Sequence, residues 1–151
     1  MIWRPHVTVA AVVERDGRFL FVEEDTDEGV RLNQPAGHLE SGESLTDAAI
    51  RETREETAWD FAPDALVGIY LWPYPRRDRT YLRFAFSGHL LTHHPEQSLD
   101  KGIRRTVWLS LDELAAARAI HRSPQVEQGV RDYLAGQRVS LEILRHMDPG
   151  A

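Results

Sequence analysis

Glu52 is followed three and four residues later by Glu55 and Glu56. At about 100° per residue these positions fall within one roughly 100° arc of a helix. Like charges so close repel one another, and the usual remedy is Lys or Arg on the same stripe. Here the remedy is thin, because Arg51 lies beside the arc and Arg54 points nearly opposite Glu52. Followed toward the helix start, the arc carries Leu45, Ala48 and Ala49, so the glutamate face is also the apolar, inward face. Carboxylates turned toward the body of a protein need a cation. With no cysteine in the chain and no histidine pair beside the glutamates, hard oxygen ligands favour Mg²⁺ or Mn²⁺ over Zn²⁺. Spacing alone leaves two readings, a divalent-metal site and a merely acidic, solvated helix face.

The elements around this stretch must position it. Ser44 followed by Asp47 is a capping-box-like start, and the residues after it lack Gly and Pro, which predicts a helix from Leu45 to Thr57. Ahead of it, Leu32 to Glu40 joins the acidic helix to a hairpin. Pro35 denies a backbone donor there, and Gly37 lets the chain turn closely against the helix, freeing a carbonyl such as that of Ala36 to face a metal. His38 in this segment either meets a substrate phosphate or simply sits on the loop.

His6 to Val13 reads as a well-buried strand with His6 structural at its edge, Asp16-Gly17 as a hairpin turn, and Arg18 to Glu23 as the returning strand. Glu24 to Arg31 reads as a solvated polar loop, its acids lacking the spacing of a calcium loop. After the helix, Asp60 to Asp64 with Pro63 reads as a turn. Leu66 to Trp72 and Tyr81 to Leu91 read as strands, and the basic segment between them is a loop whose Arg76, Arg77 and Arg79 either reach an anionic substrate or form a solvated hairpin tip. Alternation sets Leu82, Phe84 and Phe86 on one face and Tyr81, Arg83 and Ala85 on the other, leaving Arg83 either paired with an acid or aimed at a ligand. Thr92 to Gly102 reads as a loop and Thr106 to Leu111 as a strand, with a capping box from Ser110 to Glu113 opening a short helix. Ser123-Pro124 starts a helix over about Gln125 to Ala135. Its amide groups, reinforced by Arg122, either receive an anion or begin an ordinary packing helix.

With 151 residues, the chain has the length of one domain. A composition 42% hydrophobic and 28% charged is that of a globular protein, and the lack of cysteine excludes disulfides and thiolate chemistry. No apolar run is long enough for a membrane span, and Met1 to His6 lacks the character of a signal peptide, so a cytoplasmic enzyme is expected. The formal charge of −6 argues against broad nucleic-acid binding. Only Lys101 among the 18 basic residues is a lysine, which reads as genomic composition.

The stretch from Gly37 resembles the Nudix box, G-x5-E-x7-R-E-U-x-E-E-x-G-U with U a bulky apolar residue. Gly37, Glu43, Arg51, Glu52, Glu55, Glu56 and Trp59 stand in register. Thr53 stands where an aliphatic residue is usual and Ala58 where Gly is usual. Since that Gly caps the helix in a left-handed conformation, Ala58 costs about 1 kcal/mol or makes the chain leave the helix differently. H-V-T-V-A near the start, N-Q-P-A-G-H-L-E before the box, H-R-S-P-Q-V-E from His121 and the run from Tyr133 to Leu144 are similar to the NudJ subfamily of small Nudix phosphatases, with Leu32 where a Trp is expected.

The resemblance implies an α/β Nudix domain spanning residues 1–151, a mixed β-sheet sandwiched between α-helices. It implies Mg²⁺ (Mn²⁺ is possible) held by Glu52, Glu55, Glu56 and the Ala36 carbonyl, with Arg51 pairing Glu43 to hold the acidic face in shape. Asp100 is the candidate for a further acid acting as ligand or general base, and Lys101 stands near where relatives carry one. His38, Arg83, Arg122 and Ser123 are the substrate-binding candidates, and Trp3, Tyr70, Trp72 and Tyr74 the possible ring platforms. The implied activity is release of terminal phosphate from thiamine pyrophosphate, hydroxymethylpyrimidine pyrophosphate or nucleoside di- and triphosphates. The alternatives are an ADP-ribose-type pyrophosphatase and a non-catalytic ligand-binding domain. The partner expected is a small-molecule phosphate ester, with no nucleic acid and no membrane; monomer and homodimer both stay open.

Overall fold

The structure, a computed structural model, describes residues 1–149. β1 (His6–Val12) shows why the chain folds in layers. From Val9 to Val12 its residues are all apolar, and both faces of that stretch are buried. Val9 and Ala11 on one face pack with Ala48 and Ala49 of α1 (Leu45–Thr57), while Val12 on the other packs with Val126 and Val130 of α3 (Gln125–Leu134) and Leu114 of α2 (Leu111–Ala116).

The remaining strands are β2 (Glu14–Arg15), β3 (Arg18–Thr26), β4 (Gly29–Asn33), β5 (Ala36–His38), β6 (Trp59–Tyr74), β7 (Arg79–His93) and β8 (Ile103–Leu109). They form two sheets. One is mixed, in the order β5-β1-β7-β6, with β1 parallel to β7 and its other pairs antiparallel. The other is antiparallel, with β3 pairing β2, β4 and β8. Among the described residues no helix is long and apolar enough to cross a membrane.

α1 occupies the expected span. The Ser44 hydroxyl accepts the Asp47 amide at 3.0 Å, and the helix ends at Ala58, a non-glycine residue in the left-handed region at φ 61°. Thr53 is fully buried yet satisfied, because its hydroxyl donates to the Ala49 carbonyl at 2.8 Å. The capping box at Ser110 is present in both halves.

Three readings are corrected. Asp60 to Asp64 is no turn but part of β6, and Pro63 is accommodated because β6 is an edge strand whose register shifts between Pro63 and Ala65. Glu24 to Arg31 is no loop: β3 and β4 run through it as a hairpin, with Glu24 opposite Arg31 and the reversal at Asp27 and Glu28. Charged residues at these facing positions remove the apolar alternation that marks a strand. β7 runs on through His93, and β8 begins at Ile103 and ends at Leu109, because its polar start at Arg104 and Arg105 is held by pairing to β3 and by ion pairs to Asp25 and Glu23.

Candidate active site

Gly37 lies inside β5, directly against α1. A Cβ at this position would sit 2.1 Å from the Glu52 carboxyl carbon, so only glycine lets strand and helix approach this closely. The requirement is close approach within a strand, and the turn expected there is absent. The same contact fixes Glu52 at the floor of a cavity of about 350 Å³, within the size range of small-molecule sites.

Glu52 and Glu56 are 9% and 8% exposed, so the glutamate face is an inward face. Burial raises the Glu52 carboxyl to about 7 against the opposing pull of Arg51, with Glu55 and Asp100 adding repulsion. Burial also pushes Glu56 to about 9; the Ala36 amide, donating to its carboxylate at 2.9 Å, only partly offsets this, and Glu24, Glu52 and Asp100 add to it. Glu55 is more open, and one carboxylate oxygen each from Glu52, Glu55 and Asp100 lie within 4.8 Å of one another. Asp100 reaches this position because its amide donates to the Glu55 carbonyl at 3.0 Å, tying the loop before β8 to α1. Such a cluster of carboxylate oxygens, running from buried Glu52 to exposed Asp100, suits a hard divalent cation.

Arg51 is the cation this face already has. Its Nε and Nη2 donate to Glu43 at 2.9 and 2.7 Å, and its Nη1 to Glu52 at 2.8 Å and Glu55 at 3.2 Å. Nη2 also donates to the His38 carbonyl at 3.0 Å, linking β5 to the helix. The guanidinium is thereby held above its ordinary pKa, chiefly by Glu43, and turned along the helix. One guanidinium cannot neutralise all these carboxylates.

Across the cavity stands Arg83, 5% exposed. Its Nη1 and Nη2 donate to the amide oxygens of Gln34 and Asn33, each at 2.9 Å, and among the described residues its Nε has no partner. Of the two alternatives from the sequence, the ion pair is absent among the described residues; Arg83 lines the cavity and lies near Glu24 and Glu56, which oppose the effect of burial in lowering its pKa to about 10. Gln34 in turn donates to the Val126 carbonyl at 2.7 Å, so the start of α3 helps fix Arg83. Arg122 and buried Ser123 also line the cavity; the Ser123 hydroxyl accepts the Gln125 amide at 3.2 Å and Arg122 pairs with Glu24 at 3.4 Å.

The remaining wall is aromatic. Trp72 stacks on Tyr74 and on Tyr81 with ring centres 4.8 and 5.9 Å apart, and His38, its pKa lowered mainly by burial, stands beside Tyr81 and His6. Of the four possible ring platforms, Trp72 and Tyr74 line the cavity. Trp3 and Tyr70 do not, Tyr70 being drawn off by a 2.6 Å hydrogen bond to Asp132.

Sequence reasoning missed Glu24, Asn33, Gln34 and Tyr81 as parts of this site. Glu24 was hidden by the loop reading of its hairpin; the Asp27-Glu28-Gly29 turn signal would have extended β3 far enough to aim it. Burial raises its pKa while Arg122 opposes.

The NUDIX domain family profile matches residues 3–128 of this chain. The chain is 42% identical to Phosphatase NudJ of Escherichia coli strain K12 over 144 residues, which cover 95% of this chain and 92% of that protein, and equally to Phosphatase NudJ of Shigella flexneri. A NUDIX hydrolase from Nitrosomonas europaea superposes with a TM-score of 0.94 at 49% identity, over 97% of this chain and 99% of that one. A C. elegans Ap4A hydrolase shares the fold, at a TM-score of 0.65 and 19% identity over 87% of this chain and 96% of that one. The box glycine is pressed against Glu52, Glu52 and Glu56 line the cavity, and Arg51 bonds Glu43, Glu52 and Glu55 beside it; on the family match and the identity to Phosphatase NudJ, this chain belongs to the Nudix hydrolases.

Proposed function

We propose that the chain removes the terminal phosphate from small diphosphate and triphosphate esters, namely thiamine pyrophosphate, hydroxymethylpyrimidine pyrophosphate or nucleoside di- and triphosphates, in a Mg²⁺-dependent hydrolysis. The observation that carries this reading is the cavity itself, with an acidic floor at Glu52 and Glu56, a buried guanidinium at Arg83 and an aromatic wall at Trp72, Tyr74 and Tyr81. The identity to Phosphatase NudJ supports it.

Glu52, Glu55, Glu56 and the Ala36 carbonyl would hold the metal, and Mn²⁺ would serve in place of Mg²⁺. When bound, such an ion neutralises phosphate oxygens and lowers the pKa of water. The chain's own residues supply the rest. Arg83 and Arg122 draw the anionic phosphates into the cleft, and Ser123 and His38 border them. The aromatic wall orients a flat ring so that the terminal phosphorus faces α1. Asp100, more open than Glu56 and close to Glu52 and Glu55, takes the proton of the attacking water. Arg51 touches no substrate and keeps the carboxylates in register through Glu43.

Product analysis by phosphate detection and chromatography, with Mg²⁺, over thiamine pyrophosphate, hydroxymethylpyrimidine pyrophosphate, GTP, GDP and ADP-ribose tests this. Free phosphate from members of the first four is expected. AMP from ADP-ribose with the others untouched would replace this reading with a nucleoside diphosphate-sugar pyrophosphatase. Nucleotide binding without any metal-dependent turnover would make the chain a ligand-binding domain.

A further inference from the structure

Tyr74, Tyr81 and Arg122 line both the active-site cavity and a second cavity of about 210 Å³. This second cavity lies between the tips of the β3–β4 and β6–β7 hairpins, which come from different sheets. The tips are tied together: the Tyr74 hydroxyl donates to Glu28 and Arg77 donates to Asp27. The space between them is therefore shaped before any ligand arrives.

Its charge is opposite to that of the whole chain. Four guanidiniums, from Arg31, Arg77, Arg79 and Arg122, face two carboxylates, Asp27 and Glu28, and Arg122 also reaches Glu24 at 3.4 Å, leaving a local excess of one positive charge (4 − 3) in a protein of net charge −6. Asp27 is taken by Arg77, and Glu28 is shared between Tyr74 and Arg76, with Arg31 reaching it only at 3.9 Å. Arg79 forms no ion pair with a carboxylate of the described residues, and the hairpin ladder fixes its place, opposite Tyr74. A guanidinium without a carboxylate partner, set among other guanidiniums in a polar cavity, is the chemistry that recognises phosphoryl oxygens.

We propose that this cavity is a second anion subsite, which takes a further phosphoryl group on the ribose of a nucleoside 5′-diphosphate. The diphosphate lies against α1, the ring system lies along Trp72, Tyr74 and Tyr81, and the ribose phosphate enters between Arg31, Arg79 and Arg122. This inference rests on the placement of the diphosphate given under the proposed function. It makes the enzyme selective for doubly phosphorylated nucleotides over their simple counterparts.

The test compares ADP with adenosine 2′-phosphate 5′-diphosphate and adenosine 3′-phosphate 5′-diphosphate. Dissociation constants are measured by calorimetry on the Glu56→Gln protein with Mg²⁺, and kcat/KM on the otherwise unaltered enzyme, each with and without Arg79→Ala or Arg79→Lys. At least one ribose-phosphorylated nucleotide is expected to bind about tenfold more tightly than ADP, as one charge-assisted contact would give. Arg79→Ala removes that advantage and leaves ADP unchanged, and Arg79→Lys restores part of it. Equal affinity for all three nucleotides, or an equal loss for all three in Arg79→Ala, overturns the subsite. If the enzyme hydrolyses none of them, adenosine 5′-diphosphates drop out of the proposed substrates, while the calorimetric comparison still decides whether the second phosphate is recognised.

Discussion

Glu56 on α1 and Glu127 on α3 are both largely covered glutamates, yet their carboxyl groups lie at opposite ends of the titration range. Glu127 sits in a fork of Arg118, at 2.8 and 2.9 Å, and Arg131, at 2.7 Å, and these hydrogen bonds hold its pKa down to about 2. Glu56 has one backbone amide, a burial cost that pushes it to about 9, and Glu24, Glu52 and Asp100 as further opposition. α3 settles its charge with the chain's own arginines. α1 leaves its charge unsettled, with Arg51 alone among Glu43, Glu52 and Glu55. A carboxylate that the fold buries but does not neutralise is held in readiness for a ligand, which is why perturbed carboxyl groups gather at functional sites.

The comparison breaks if the two glutamates respond alike to removal of charge. Glu56→Gln should lower Mg²⁺-dependent turnover by about a thousandfold, the loss of roughly 4 kcal/mol of transition-state stabilisation. Its melting temperature should stay level or rise, because the neutral amide no longer needs a buried proton. Glu127→Gln should do the reverse, leaving turnover within about twofold and lowering stability by about 1 kcal/mol in thermal melts.

Gly37→Ala sharpens the same contrast from the backbone side. The added methyl group would occupy the space of the Glu52 carboxyl group, so activity should fall by about a hundredfold, as a displacement of order 1 Å costs. Circular dichroism should report an intact fold. Arg51→Gln removes the one cation on the acidic face and should destabilise the metal-free protein by about 2 kcal/mol, with part of the loss recovered on adding Mg²⁺.

The two helices should also respond oppositely to pH in EDTA. Glu52 and Glu56 keep their protons to about 7 and about 9 in the folded, metal-free protein, while the unfolded chain releases them near the ordinary value of 4.5. Their contribution is full below about pH 4.5 and is lost as pH rises through 7 and then 9. Glu127, with its pKa lowered, contributes fully above 4.5 and loses its contribution as pH falls toward 2. Thermal melts of the wild type and of each Gln variant across this range separate the two limbs. The smallest effect is expected at Ala58, whose φ of 61° favours glycine: Ala58→Gly should stabilise by about 1 kcal/mol, or about 3 °C, without touching activity.

Much of this site was legible because it is local. The spacing of Glu52, Glu55 and Glu56, the Ser44 cap and the span of α1 all arise within one helical segment, where neighbours in sequence are neighbours in space. The two-faced burial of β1 was equally legible, since its apolar run leaves no polar face. What escaped was set by distant pairing. Glu24 joins the site only because β3 continues opposite β4, and Arg83 depends on Asn33 and Gln34 fifty and forty-nine residues away. Pro63 looked like a turn residue because nothing local says that its strand lies at a sheet edge. Tyr81 and Trp72 became one wall through the β6–β7 register, in which they are directly opposite.

The central claim is that the inward carboxylates of α1 are kept for a divalent cation. Its most direct test is calorimetric titration of Mg²⁺ into the metal-free protein near pH 7 in buffers of different ionisation enthalpy, with Glu56→Gln alongside. The account predicts binding accompanied by proton release, because Glu56 holds a proton until the metal displaces it, and it predicts weakened binding with less proton release in the variant. Binding of equal strength to both proteins, or binding with no protons released, would contradict it.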